Sequence, residues 1–206
     1  MCSSDLHGGV PSQAIEVRVA GDRSVPVRMW RGPEARAAIV LVHGLGEHGG
    51  RYAALASALV AAGLVVFAPD LPGHGVQPGA RGDLRWRDVR DRLLPALLDH
   101  ASRELGDASP RFLFGHSLGG VMALDHALAH PERLAGLVLS SPGLRIPAPP
   151  AWKVALARLV CALAPAAGFP NGLDPAGLSR DAEVVERYRR SEEHTSELQS
   201  PCNLVC

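Results

Sequence analysis

The chain has 206 residues, 47% of them apolar, and its 21 basic residues balance its 21 acidic residues at a formal net charge of zero. This length and apolar content suit one domain or a large part of one. The neutral charge gives no reason to expect a nucleic-acid partner or an anionic membrane surface, and no apolar run reaches the roughly 18 residues of a transmembrane segment.

The cysteines predict neither a disulfide framework nor a zinc site. Cys2, Cys202 and Cys206 lie close to the termini, and Cys202 and Cys206 have no histidine at a ligand-like spacing. The N-terminus also lacks the charged and then apolar regions of a signal peptide. We therefore expect a cytoplasmic protein that needs no metal and no cofactor. The oligomeric state is left open.

The two ends of the chain differ in composition from the rest. Residues 2–6 (Cys-Ser-Ser-Asp-Leu) correspond to the codons TGC-TCT-TCC-GAT-CTN, and residues 190–193 (Arg-Ser-Glu-Glu) correspond to AGA-TCG-GAA-GAG. The two runs of codons match opposite strands of one common sequencing adapter. We therefore expect four parts: an adapter-like head at residues 1–6, an N-terminal core at residues 7–143, the start of a cap at residues 144–189, and an adapter-like tail at residues 190–206.

The first elements of the chain read as strands. Residues 14–19 alternate apolar and polar side chains, which predicts a β-strand. A turn then leads to a hairpin partner at residues 25–30, where Pro26 favours an edge position. The continuous apolar run at residues 37–42 predicts a strand that is buried on both faces.

Helices and buried strands alternate through the next hundred residues. We predict helices at residues 51–62, 86–105 and 118–130, and strands at residues 64–68, 111–114 and 134–140. This alternation predicts an α/β fold with a parallel sheet between layers of helices.

A change in composition at residue 144 marks the expected cap. Prolines form a linker before an apolar helix at residues 152–163, which we interpret as the start of a cap rather than more sheet. An apolar helix packed on the core would give the same pattern. A charged helical piece at residues 181–189 would form the solvated edge of the cap.

Ser117 stands in the most informative stretch of the chain. Residues 112–120 (Phe-Leu-Phe-Gly-His-Ser-Leu-Gly-Gly) predict a short strand, a tight turn and the start of a helix. Gly115 and Gly119 complete the pattern G-x-S-x-G, in which small residues let strand and helix approach closely and leave the serine hydroxyl exposed above the sheet. The helix N-terminus also presents N–H groups where a negative oxygen would form. We interpret Ser117 as a nucleophile; the alternative is an ordinary glycine-rich turn.

A second glycine-rich loop follows the buried strand at residues 37–42. In residues 43–50 (His-Gly-Leu-Gly-Glu-His-Gly-Gly), Gly44 and Gly46 permit the backbone angles of an oxyanion loop. A plain glycine turn into a helix would look the same. His43 and His48 are poor candidates for catalysis, because a triad histidine in this architecture follows the serine in sequence.

Four further polar residues are interpreted as structural. Asp70 and His74 lie in a tight loop, where short polar side chains bond to backbone N–H groups. His126 and His130 lie well inside the helix after Ser117 and are expected to point away from the serine hydroxyl.

These motifs resemble the monoacylglycerol lipase and lysophospholipase group of α/β-hydrolases. The resemblance rests on residues 43–48, Arg51-Tyr52, residues 70–75 and residues 115–120, in the order and spacing of that group, and it covers about residues 15–189. It implies an α/β-hydrolase fold, a mostly parallel sheet with flanking helices and the start of a helical cap.

The resemblance also implies a serine carboxylic-ester hydrolase. Ser117 would attack the carbonyl of a small, lipid-like acyl ester to form an acyl-enzyme, and the backbone N–H groups of Leu45 and Leu118 would hold the oxyanion. The supporting loop residues would be His43, Gly44, Gly46, Gly115, His116 and Gly119. Acyl length, headgroup and the preference for an ester over a thioester or amide stay open.

The chain departs from the pattern of this group after the cap region. The triad acid and histidine follow the serine, after later strands, but the only histidines after Ser117 are His126, His130 and His194. We therefore expect the last strands and both triad partners to be missing from this chain, which would be inactive or nearly so. The exposed edge of the last strand would make it poorly soluble.

Two alternatives to a lipase-like esterase stay open. The first is another α/β-hydrolase activity, a thioesterase or an aminopeptidase; an acidic group placed to meet a substrate amine would favour the peptidase. The second is a non-catalytic binding fold that kept the serine turn.

Overall fold

The computed structural model describes residues 9–145 apart from 20 and 22, together with residues 150–163, 169–170, 180–183, 185–186 and 198–199. Its main strands are β1 (Gln13–Arg18), β2 (Ser24–Trp30), β3 (Ala37–Val42), β4 (Leu64–Pro69), β5 (Arg111–His116) and β6 (Gly136–Ser140). Its helices are α1 (Ala53–Ala61), α2 (Trp86–Asp88), α3 (Leu94–Leu105), α4 (Leu118–Ala129) and α5 (Ala151–Leu163).

The six strands form one mixed sheet in the order β1-β2-β4-β3-β5-β6. β1 and β2 form an antiparallel hairpin, β2 runs antiparallel to β4, and the pairs β3–β4, β3–β5 and β5–β6 are parallel. The predicted α/β fold with a mostly parallel sheet is therefore confirmed. Because β3 and β5 are parallel neighbours, the loops that follow them leave the same edge of the sheet.

Side chains of β3 alternate between two cores, as the period of a strand requires. Val40 joins a larger cluster in which Leu97 of α3 and Met122 of α4 cover one face of the sheet. Leu41 joins a smaller cluster with Ala56 of α1 on the opposite face. Both faces of the sheet are thus covered, and β3 is buried along its whole length, as its apolar run predicts.

The predicted edge position of Pro26 is wrong. The edge strand is β1, and β2 lies between β1 and β4. Pro26 is tolerated because the ladder between β2 and β4 covers only residues 27–30 of β2, so no N–H at position 26 is needed on that side.

The predicted helix at residues 86–105 consists of three segments. A π-helical turn, Val89–Leu93, separates α2 from α3. Pro95 supplies a physical reason, since it has no N–H to donate and its ring collides with the carbonyl four residues earlier in a regular helix. The predicted start at residue 51 also shifts, because a 3-10 turn, Gly49–Tyr52, precedes α1.

The strand predicted at residues 134–140 is less buried than expected. Within the described residues, β6 pairs only with β5, and its central Val138 is 46% exposed. Helix α5 is exposed as well: Trp152 is 63% exposed, and none of the α5 side chains that the structure describes belongs to either core cluster.

The remaining described pieces are short. β7 (Phe169–Pro170) and β8 (Leu198–Gln199) pair in an antiparallel fashion. Of the charged helical piece predicted at residues 181–189, the structure describes residues 181–183 and 185–186, with helical turns at residues 182–183 and 185–186, and the rest lies outside the described residues. No helix in the described part of the chain has the length and apolar character needed to cross a membrane.

Candidate active site

Ser117 occupies a sharp turn between β5 and α4. Its backbone has φ 51° and ψ −116°, a region that L-residues rarely adopt. The Ser117 N–H donates to the Ser140 carbonyl at 3.0 Å, and its own carbonyl accepts from the N–H groups of Gly120 and Val121 at 3.1 and 3.2 Å. The strained turn is therefore fixed by β6 on one side and by the first turn of α4 on the other.

Two glycines make this crossing of strand and helix possible. A Cβ at Gly115 would lie 2.6 Å from the Gly120 Cα and would collide with the Gly119 carbonyl. A Cβ at Gly119 would collide with the carbonyl oxygens of Val42 and His43. The spacing of the serine motif thus follows from the direct backbone contact of α4 with β5 and with the end of β3.

The loop after β3 lies against the serine turn. A Cβ at Gly44 would lie 3.2 Å from the Ser117 Cβ, and Gly46 has φ 69°, in the region that glycine favours. Among the residues that the structure describes, the N–H groups of Leu45 and Leu118 donate no hydrogen bond. Leu118 is the first residue of α4, where N–H groups have no partner within the helix. Such groups suit an oxyanion.

Glu47 braces this loop, a role that the sequence analysis did not assign. The Gly44 N–H donates to Glu47 Oε2 at 3.0 Å, and the Tyr52 hydroxyl donates to the same oxygen at 2.7 Å. Arg51 Nη1 lies 3.6 Å from Glu47 Oε1. Burial, and then the negative charge of Glu47, raise the pKa of Tyr52, so its hydroxyl stays protonated as a donor.

His43 is fully buried behind the loop, and both of its ring nitrogens are engaged. Its Nε2 accepts from the Leu71 N–H at 2.8 Å, so its Nδ1 carries the proton and donates to the Gly44 carbonyl at 2.7 Å. Burial, with the nearby His74 ring as the next cause, lowers the pKa of His43 to about 3. A neutral imidazole with both nitrogens occupied supports the loop and takes no proton from Ser117.

Asp70 ties three segments together. Its Oδ1 accepts from Arg28 Nη1 at 2.6 Å and from the Gly49 N–H at 2.8 Å, and its Oδ2 accepts from the Val76 N–H at 2.9 Å. The structure therefore places this carboxylate in the framework below the site, as a brace between β2, the 3-10 turn and the loop after β4.

The histidines at the end of β5 and in α4 also contact the framework. His116 Nδ1 lies 3.0 Å from Ser140 Oγ. His126 is buried in α4, where its Nδ1 donates to the Arg90 carbonyl at 3.0 Å and its ring lies tilted against that of His130, with 5.0 Å between the ring centroids. Within the described residues, the hydroxyl of Ser117 has no hydrogen-bond partner.

The described residues contain no group of three or more histidine, cysteine, aspartate or glutamate side chains that could hold a metal ion.

Comparison with known proteins identifies the fold. Residues 33–199 match the sequence model of the family described as "Serine aminopeptidase, S33". The monoacylglycerol lipase of Mycolicibacterium smegmatis is 36% identical, over 76% of this chain and 55% of that protein. Phospholipase YtpA of Bacillus subtilis is 33% identical, over 76% of this chain and 60% of that protein. The chain thus spans little more than half the length of these curated relatives.

A solved structure supports the same assignment. The monoacylglycerol lipase of Paleococcus ferrophilus superposes with a TM-score of 0.75 and 38% identity, over 87% of this chain and 67% of that one. The chain belongs to the α/β-hydrolase family described as "Serine aminopeptidase, S33", within its monoacylglycerol lipase group.

Proposed function

We propose that this chain carries the nucleophile half of a serine hydrolase that cleaves carboxylic esters of monoacylglycerol or lysophospholipid type. The observation that carries this proposal is the strained turn at Ser117, which lies against the Gly44 loop at the common edge of β3 and β5. Strain at a half-buried serine beside unpaired N–H groups is typical of a prepared nucleophile. The names of relatives at 33–38% identity support a lipid-like ester as substrate.

In the proposed reaction, Ser117 Oγ attacks the ester carbonyl and the alcohol leaves, with an acyl group bound to the serine. The Leu45 and Leu118 N–H groups stabilise the negative oxygen of the tetrahedral intermediate, each worth about 3–4 kcal/mol of transition-state stabilisation. Water then releases the acid and restores the serine. A histidine takes the serine proton and returns it to the leaving alcohol, and an acid orients that histidine.

We propose that the acid and this histidine belong to sequence outside these 206 residues, and we refer to the longer protein as the complete enzyme. Both nitrogens of His43 are engaged, and His126 bonds to the carbonyl of Arg90. The 206-residue chain alone should therefore hydrolyse esters slowly or not at all, since an oxyanion site without its triad keeps only a small part of the rate.

An ester is favoured over an aminopeptidase substrate. A peptidase of that kind needs an acidic group that is available to the substrate amine. Among the residues that the structure describes, Glu47 is an acid beside the serine turn, and its carboxylate already accepts from Gly44 and Tyr52 and lies beside Arg51. A substrate ammonium group would have to compete with Arg51 for Oε1 or with Gly44 and Tyr52 for Oε2.

Substrate assays on the complete enzyme test the proposal. We expect hydrolysis of a monoacylglycerol or a lysophospholipid that Ser117→Ala abolishes, and little release of nitroaniline from aminoacyl-p-nitroanilides. Faster cleavage of the anilides than of the esters would contradict the ester assignment. Rapid hydrolysis of a p-nitrophenyl ester by the 206-residue chain would contradict its proposed inactivity.

A further inference from the structure

We propose that Glu47 is a positioning residue, which holds the Gly44 peptide so that the next N–H, that of Leu45, faces the oxyanion. This inference deepens the proposed function and depends on it. Glu47 does not touch the reacting atoms in this proposal; it acts through the backbone of the loop after β3.

The hydrogen bonds of the loop divide its N–H groups into two sets. The Gly44 N–H is taken up by Glu47 Oε2 at 3.0 Å, whereas the Leu45 N–H has no acceptor among the residues that the structure describes. Each N–H lies in its own rigid peptide plane, and only the two soft dihedrals of Gly44 separate the plane of the Gly44 N–H from that of the Leu45 N–H. Fixing the first plane therefore restricts the direction of the second N–H. The Glu47 side chain therefore selects which N–H of the loop stays available.

The carboxylate of Glu47 is itself held from a separate part of the fold. The Tyr52 hydroxyl donates to the same Oε2 at 2.7 Å, and Arg51 lies 3.6 Å from Oε1. The Tyr52 ring lies edge-on to Phe114 of β5 at 6.2 Å and tilted against His116 at 6.4 Å. Glu47 thus connects the loop after β3 to the turn before α1 and, through the Tyr52 ring, to the strand that leads to Ser117.

This arrangement predicts which kinetic constant changes. An oxyanion donor interacts more strongly with the transition state than with the bound ester, so its misplacement lowers kcat and leaves KM nearly unchanged. Losing an oxyanion donor lowers kcat about 100- to 1000-fold. Loss of the Glu47 side chain loosens the donor but does not remove it, so kcat should fall by less. We expect a decrease in kcat of roughly 10- to 100-fold.

Four variants of the complete enzyme test the role of Glu47. Glu47→Ala removes the acceptor, and Tyr52→Phe removes one donor while it keeps the ring contacts. Glu47→Gln keeps an amide oxygen that accepts from both Gly44 and Tyr52, so it should restore most of the kcat that Glu47→Ala loses. The matched control is Glu104→Ala, which removes an exposed carboxylate paired with Arg31 at 2.8 Å, remote from the loop; its kinetics should equal those of the wild type.

Hydrogen exchange supplies a readout that does not depend on activity. In the 206-residue chain, mass spectrometry of peptides that cover residues 43–48 should show faster amide exchange in Glu47→Ala than in the wild type, and no change in Glu104→Ala.

Each outcome decides the proposal. A lower kcat with steady KM, rescue by Gln and faster loop exchange support it. A raised KM with unchanged kcat would make Glu47 a substrate-binding residue, and unchanged exchange or equal losses in Gln and Ala would also overturn the positioning role. If the wild-type complete enzyme cleaves no ester, the proposed function fails, while the exchange experiment still shows whether Glu47 anchors the loop.

Discussion

Ser117 shows how much of a site is determined by single residues. Its φ of 51° and the steric limits at Gly115 and Gly119 arise from one close crossing of α4 over β5. The sequence motif is sufficient to predict that crossing, because only glycine fits where backbones touch. The role of Glu47 was not predictable from the same residues, since its contacts depend on Tyr52 returning to the loop in the folded chain.

Three buried histidines predict a loss of stability in mild acid. Burial lowers the pKa values of His43, His74 and His126, that of His43 to about 3. The unfolded chain, with histidine pKa values of about 6.5, then binds more protons than the folded chain below that pH. Stability is therefore fully present above about pH 6.5 and is lost as the pH falls, by up to about 1.4 kcal/mol per pH unit for each histidine.

Urea denaturation at pH 8, 6.5, 5.5 and 5 measures this dependence. We expect the urea concentration at the midpoint of unfolding to be constant between pH 8 and about pH 7 and to decrease progressively as the pH falls further. A midpoint that stays level or rises between pH 6.5 and pH 5 would show that these histidines are not held neutral in the folded protein.

At the scale of elements, the Asp70 side chain joins three segments of the chain. Replacing Asp70 with alanine leaves the half-buried Arg28 and the N–H groups of Gly49 and Val76 without their acceptor. Removing one partner of a buried, hydrogen-bonded ion pair lowers stability by about 3–5 kcal/mol. In chemical denaturation, we expect Asp70→Ala to lower the free energy of unfolding by an amount in that range. Glu104→Ala, in the exposed pair with Arg31, should lower it by less than about 1 kcal/mol. Equal losses in the two variants would contradict the bracing role of Asp70.

Element types were predictable, but their local irregularities were not. Alternation and apolar runs predict the strands and helices because burial dictates both patterns. The π-helical turn before Pro95 and the interior position of β2 depend on packing against neighbours that are distant in sequence. Pro26 illustrates this limit. A proline rules out a ladder hydrogen bond at its own position, but the rest of its strand can still lie between two neighbouring strands.

At the scale of the whole molecule, the edge of the sheet formed by β6 is exposed to solvent. Within the described residues, β6 pairs on one side only, and Val138 at its centre is 46% exposed. An apolar strand edge invites pairing with another chain, and a charged residue on it suppresses such pairing. We expect Val138→Lys to raise the soluble fraction of the 206-residue chain.

Sedimentation and light scattering of the purified chain measure this effect. The control is Leu128→Lys on α4, which places the same charge at a residue that is 74% exposed but is not on a strand. Equal improvement in both variants would mean that general surface charge, and not the edge of β6, limits solubility.

The most direct measurement of the proposed chemistry is covalent labelling with a fluorophosphonate, followed by mass spectrometry of the modified peptide. Only an activated serine reacts rapidly with such a probe. We predict a single adduct on Ser117 of the complete enzyme, absent in Ser117→Ala, and slow labelling or none in the 206-residue chain. An adduct on another residue, or labelling of the complete enzyme that survives Ser117→Ala, would contradict the assignment of Ser117 as the nucleophile.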